Sequence, residues 1–146
     1  MIKRMLVAVD GSGHSKCALE FACGLANQLG AELSLVHVVE WAPGQQTLVM
    51  GMAHTTIAAS QEAIDEAGKS VLDAARSLAE QEGVKIVRAN VKSGPPAKMI
   101  LEAAEEDGVD TIVMGSRGLG DLGGLLLGSV SHKVTHLATC TCVTVR

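Results

Sequence analysis

Residues able to do chemistry cluster first in one glycine-punctuated stretch. Thr111-Ile-Val-Met114 leads into Gly115, Gly118 and Gly128, and these are followed by Ser129 and Ser131. The β-branched apolar run reads as a buried strand that opens directly into a glycine loop. Past the loop, Val130, Val134, Leu137 and Ala138 recur at helical spacing, beginning just after Ser129, a residue type that caps helix starts well. Strand, glycine loop and helix start together make an anion-site layout. The first backbone N–H groups of a helix have no intrahelical partner and carry the positive end of its dipole. Glycine lets backbone approach a phosphate without an intervening Cβ and accepts the positive φ of anion-binding nests. Gly115, Gly118, Gly128 and the hydroxyls of Ser129 and Ser131 therefore form a candidate phosphate cradle, with Ser116 and Val130 between them. Arg117, inside the loop, either pairs with phosphate or stays solvated.

Two other places carry candidates. Asp10 closes the apolar run Met5-Leu-Val-Ala-Val9 and is followed by Gly11-Ser12-Gly13. Asp-Gly is a common turn pair, so Asp10 reads as a turn residue. As a ligand group beside a triphosphate it would have to face ribose hydroxyls or share a divalent cation with phosphate oxygens. His132 and His136 stand one helical turn apart and, with Cys140 and Cys142, resemble a metal-ligand set. The spacing matches no standard zinc pattern, and residues 140 and 142 fall on a strand face expected to pack inward. No nucleophile and base can be paired from the sequence, so no catalytic constellation is assigned.

Better-known phosphate motifs fail on the same letters. There is no GxxxxGK[ST], which excludes the standard P-loop. Gly118-Leu-Gly120-Asp-Leu-Gly123 satisfies GxGxxG, but it lies several residues past its strand and opens no helix. It also lacks the acidic residue expected about 20 positions further on. What the stretch is similar to is the G-2x-G-9x-G(S/T) signature of the universal stress protein family, in its ATP-binding branch: Gly115-x-x-Gly118, nine residues, then Gly128-Ser129. The resemblance extends over nearly the whole chain, through Val7-Ala8-Val9-Asp10-Gly11-Ser12, Leu35-Val36-His37-Val38, the loop and a closing strand.

The resemblance implies ATP with Mg²⁺ as ligand and favours nucleotide or metal contact for Asp10. It also offers Val9, Val38 and Met114 as the aliphatic bed for adenine, positions that otherwise read as plain core. In such a family the last strand pairs two subunits. Thr141, Cys142 and Thr144 depart from the usual proline and aliphatics there, which bears on the geometry of a homodimer. The function implied is a nucleotide-dependent switch or regulator with at most slow ATP hydrolysis. The alternatives are a Cys/His redox or metal-sensing module, and a structural dimer with a vestigial nucleotide site.

Composition narrows the setting. The 146 residues suit one domain, 1–146, with a single core, and 47% hydrophobic against 19% charged residues argues for a compact protein. A formal charge of −4, one Trp, one Phe and no Tyr leave neither basic patch nor stacking platform for nucleic acid. No apolar run approaches the roughly 18 residues that span a bilayer, and the start shows no signal-peptide pattern, so no membrane association and a cytoplasmic location are expected. The four cysteines fall inside predicted elements, the pattern of reduced thiols.

The elements that must position these groups follow from periodicity. Met5–Val9 is the first strand. A helix from His14 or Ser15 carries Ala18, Phe21, Ala22, Leu25 and Leu29 on one stripe and stops at Gly30. Leu33–Val39 is the second strand. The stretch from Glu40 to Thr55 has neither period and reads as a flap or an insert. A long helix spans about Thr56–Glu82 with Ile57, Ile64, Val71, Leu72, Ala75 and Leu78 inward, and strand three is Val84–Val91. A proline-started helix carries Ile100, Ala103 and Ala104, and Cys142–Val145 is the last strand. Alternation of this kind predicts an α/β single domain: an open, five-stranded parallel sheet with helices on both faces, Rossmann-like. The family resemblance implies the order 3-2-1-4-5, with Asp10 and Gly115 facing each other at the reversal.

Overall fold

A computed structural model describes residues 1–40, 48–50, 53–55, 61–119 and 127–146. Its main sheet joins β1 (Arg4–Ala8), β2 (Glu32–Val39), β5 (Ile86–Ser93), β6 (Thr111–Gly115) and β7 (Thr141–Val145), all parallel, in the order β5-β2-β1-β6-β7. With the sheet's strands counted along the chain this is the 3-2-1-4-5 order, reversing between β1 and β6. Helices α1 (Gly13–Leu29) and α2 (Gln61–Gln81) cover one face, and α3 (Pro96–Glu106) and α4 (Ser129–Leu137) cover the other.

The continuous apolar run of β1 has a direct explanation. Met5, Val7 and Val9 enter the core under α1 and α2, whereas Leu6 and Ala8 enter the core under α3 and α4. A central strand covered on both faces has no solvent side, so it shows no alternation. Turn chemistry sets several ends. Gly30 (φ 65°) caps α1 in the left-handed region, as the sequence suggested, and Gly83 (φ 76°) follows α2.

Three packing expectations are corrected. The face that α1 buries is Ser15, Ala18, Leu19, Ala22, Cys23 and Ala26, whereas Phe21 and Leu29 are each 44% exposed. Small side chains let this helix lie close on the sheet, which turns the bulky Phe21 to the flank. Leu137 is likewise exposed, while Val134 and Ser131 carry the buried face of α4. The cap of α4 is Gly128, extended at φ −69° and ψ 162°, and Ser129 is the first helical residue.

Within the stretch from Glu40 to Thr55, β3 (Leu48–Met50) and β4 (Ala53–Thr55) form an antiparallel pair. Strands of three residues are too short to show a period of two. The flap reading otherwise falls on residues outside those described, as do a helix start at residue 56 and the inward placement of Ile57 and Ile64. Along α2, Leu72 and Ala75 are buried and Val71 and Leu78 pack against the same core.

Candidate functional site

Parallel register brings Ala8 beside Met114, so Asp10 and Gly115 leave the sheet together at its carboxyl edge. A cavity of about 520 Å³ opens there. Eleven of the twelve residues singled out from sequence line it: Val9, Asp10, Val38, Met114, Gly115, Arg117, Gly118, Gly128, Ser129, Val130 and Ser131. Ser116 does not. Its side chain is buried and its hydroxyl has no hydrogen-bond partner among the described residues.

What Ser116 supplies is backbone. Its N–H donates to the Val145 carbonyl (2.7 Å), and its own carbonyl accepts from the Gly128 N–H (2.7 Å). The Ser131 hydroxyl reaches that same carbonyl at 2.9 Å and the Gly128 carbonyl at 3.0 Å. These bonds tie the beginning of α4 to the end of β6 and to β7. Ser131 therefore spends its hydroxyl proton inside the protein, and what it can offer an anion is its backbone N–H.

The two helices that start beside Asp10 and Gly115 differ at their first turns. In α1, the Ser12 hydroxyl accepts from the Ser15 N–H (3.2 Å), and the Ser15 hydroxyl accepts from the Asp10 N–H (3.1 Å). In α4, Gly128 brings no side-chain cap, and His132 is the first residue to donate back, to the Gly128 carbonyl at 2.9 Å. The N–H groups of Ser129, Val130 and Ser131 precede that first helical bond, at the positive end of the dipole.

Close approach fixes the glycines. A Cβ on Gly115 would stand 2.8 Å from the His14 carbonyl carbon and 3.0 Å from the Arg117 oxygen. A Cβ on Gly118 would stand 2.9 Å from Asp10 Oδ2. Asp10 acts as a turn residue, Oδ1 accepting from the Ser12 N–H at 2.9 Å, while Oδ2 faces the glycine loop. The donor set of uncapped N–H groups, glycines free of Cβ and one carboxylate fits a phosphate group with an accompanying cation.

His37 was missed. It belongs to the cavity lining, and its Nδ1 lies 2.7 Å from the Val9 carbonyl. A carbonyl only accepts, so Nδ1 carries the proton and the ring steadies the end of β1. A histidine inside an apolar strand run carries no spacing signal; only its place at a strand's carboxyl end could have flagged it. Pro96 and Ile100, at the start of α3, close another side of the cavity.

The Cys/His set comes apart. Cys140 and Cys142 pack against the core under α3 and α4, and burial pushes both thiols up from their ordinary pKa. His132 and His136 are exposed and stack on each other. Among the described residues no three His, Cys, Asp or Glu side chains come together.

Comparison with known proteins agrees with this frame. The profile of the Universal stress protein family matches residues 1–146. Universal stress protein YxiE of Bacillus subtilis is 39% identical over 149 residues, covering 100% of both chains. A universal stress protein of Thermus aquaticus is 37% identical over 150 residues, again covering 100% of both. Among solved structures, the universal stress protein from Archaeoglobus fulgidus in complex with dAMP superposes with a TM-score of 0.68 at 25% identity, covering 100% of this chain and 98% of that one. A universal stress protein in complex with cAMP shares the fold at a TM-score of 0.74 and 21% identity, over 99% and 97% of the two chains. With the signature glycines at the sheet reversal and full-length matches on both sides, this chain belongs to the universal stress protein family.

Proposed function

We propose that this protein binds an adenine nucleotide, ATP with Mg²⁺, in the cavity at the carboxyl ends of β1 and β6, and works as a nucleotide-dependent switch. The observation that carries the reading is the convergence of the uncapped first turn of α4, Gly115, Gly118 and Gly128 with an apolar wall on one cavity. The dAMP complex of the Archaeoglobus fulgidus relative supports it.

Each lining group has a part in this reading. Val9, Val38 and Met114 bed the adenine, and Asp10 meets ribose hydroxyls or a cation shared with phosphate oxygens. The N–H groups of Ser129, Val130 and Ser131 hold the phosphate end, with the Ser129 hydroxyl and Arg117 beside them. Mg²⁺, when bound, neutralises phosphate charge. The protein's net charge of −4 draws no anion from a distance, so affinity rests on these local groups and is modest.

A homodimer through β7 completes the proposal. This edge strand, Thr-Cys-Val-Thr-Val, carries no charge, whereas β5 at the other edge carries Arg88 and Lys92, ion-paired to Asp107 and Glu106. No helix among the described residues is long and apolar enough to cross a membrane, and the switch is proposed to act in the cytoplasm. The test is mass spectrometry of small molecules released from fresh protein, paired with ATP titration calorimetry with and without Mg²⁺. Recovered ATP, or binding that Ser129→Ala weakens, is the expected result. No nucleotide and no heat would return the cavity to a vestigial scaffold.

A further inference from the structure

The geometry points to a second, separate site: His132 and His136 on the outer face of α4 form a two-imidazole chelate for a divalent transition cation of the Ni²⁺, Cu²⁺ or Zn²⁺ class. It does not rest on the nucleotide reading. Residues four apart on a helix stand on one face with their Cβ atoms about 6 Å apart. Two histidines at this spacing grip one metal ion in helical HExxH sites. Here both histidines are exposed, with rings 1° from parallel and centroids 6.4 Å apart. The stacked rings already lie on the same side of the helix. A tilt about χ2 turns one nitrogen of each towards a shared ion at the usual bond length of about 2.0–2.1 Å.

The chemistry selects the class of ion. Imidazole suits borderline cations, while Mg²⁺ and Ca²⁺ prefer oxygen donors, so this site does not compete for the Mg²⁺ of a nucleotide. Two protein ligands leave the remaining positions to water, which makes the site exchangeable, unlike a closed structural zinc site. The thiols next in sequence do not complete it. Cys140 and Cys142 pack into the core under α3 and α4, away from the exposed rings. Neither ring lines the nucleotide cavity. A filled chelate would instead brace α4 one turn beyond the three N–H groups that face that cavity.

The test is calorimetric titration of tag-free, full-length protein with Ni²⁺ alone, at neutral pH. The expected result is one equivalent bound per chain. His132→Ala and His136→Ala should each lose at least about tenfold in affinity, because even outer-sphere changes cost about 10–100-fold at metal sites. Both positions are exposed, so metal-free melting should not move; His132→Gln and His136→Gln replace the alanine variants if it does. Cys140→Ser with Cys142→Ser should bind as the parent does. Absence of binding by the parent protein, undiminished binding by His132→Ala or His136→Ala, or loss of binding on removing the two cysteines would each overturn the assignment.

Discussion

Gly118→Ala is expected to damage nucleotide binding far more than folding, and Gly115→Ala to do the reverse. At Gly118 the added methyl would lie 2.9 Å from Asp10 Oδ2, about half an ångström inside ordinary contact. The obstacle is the end of a side chain, so the fold can yield by swinging the carboxylate. That swing strains, without breaking, the 2.9 Å bond from the Ser12 N–H to Asp10 Oδ1, so the fold gives up only part of the about 1.5–3 kcal/mol of a charge-assisted bond. It also moves Asp10 off the position from which it faces the loop. Losing one charge-assisted contact between a displaced Asp10 and the ligand, about 1.5–3 kcal/mol, lowers ATP affinity by about tenfold or more, since each 1.4 kcal/mol is roughly a factor of ten. At Gly115 the obstacles at 2.8 and 3.0 Å are backbone atoms of His14 and Arg117, which have no rotamer to change. Overpacking there costs about 1–3 kcal/mol and lowers the melting temperature by about 2–4 °C per kcal/mol in a chain of this size. Calorimetry with Mg·ATP and thermal melts on both variants decide the matter. Unchanged affinity in Gly118→Ala, or wild-type melting in Gly115→Ala, would refute the claim that these close approaches shape the site.

Other consequences are open to simple assays. Gly68 in α2 sits so close to the sheet that a Cβ would meet Val91 Cγ1 at 2.7 Å. Gly68→Ala is therefore expected to melt earlier, because overpacking of about 1–3 kcal/mol against a stiff β-branched side chain outweighs a helix-propensity gain of about 1 kcal/mol. Asp110 accepts from the N–H groups of Lys3 (2.8 Å) and Arg4 (3.0 Å) and from the Thr111 hydroxyl (2.9 Å). Burial pushes its pKa up, yet these bonds together hold it below the usual aspartate value. A lowered folded pKa gives stability that is present above the unfolded value and is lost as pH falls through the folded one. Asp110→Ala should thus melt earlier at neutral pH, by about 1 kcal/mol at this solvent-screened site, and converge with the parent in acid. Cys17 is exposed, whereas Cys23 is fully buried and its thiol is pushed up to about 11 by burial, then Glu82 and Glu20. A thiol reagent followed by peptide mapping should label Cys17 promptly and Cys23 only on unfolding; prompt labelling of Cys23 would contradict the packing of α1.

Much of the architecture was legible in the sequence, because its signals are local. A run such as Met5–Val9, five residues apolar at every position and closed by the Asp10-Gly11 turn pair, reads as a strand covered on both faces, and Gly30 and Gly83 end helices through their own backbone freedom. The glycine spacing from Gly115 to Gly128 marked the loop, and eleven of the twelve named residues do line one cavity. Helix faces were less legible, since the sequence ranks side chains by size whereas the sheet accepts what lets the helix approach. Ser15, Cys23 and Ala26 went inward on α1 and Phe21 went out.

What the tertiary structure alone decided is how each polar atom is used. Ser116 and Ser131 look alike in sequence, yet one turns its hydroxyl into the core and the other binds α4 to the end of β6. Asp10 divides its two oxygens between a turn and the glycine loop, and His37 joins the site through the Val9 carbonyl. The four residues that resembled one metal-ligand set separate into a core-packed cysteine pair and an exposed histidine pair. Periodicity fixes which residues share an element, because it is a property of neighbours along the chain. Which atoms are spent inside the protein and which remain for a ligand depends on residues more than a hundred positions apart, such as Asp10 and Gly118, brought together by the sheet.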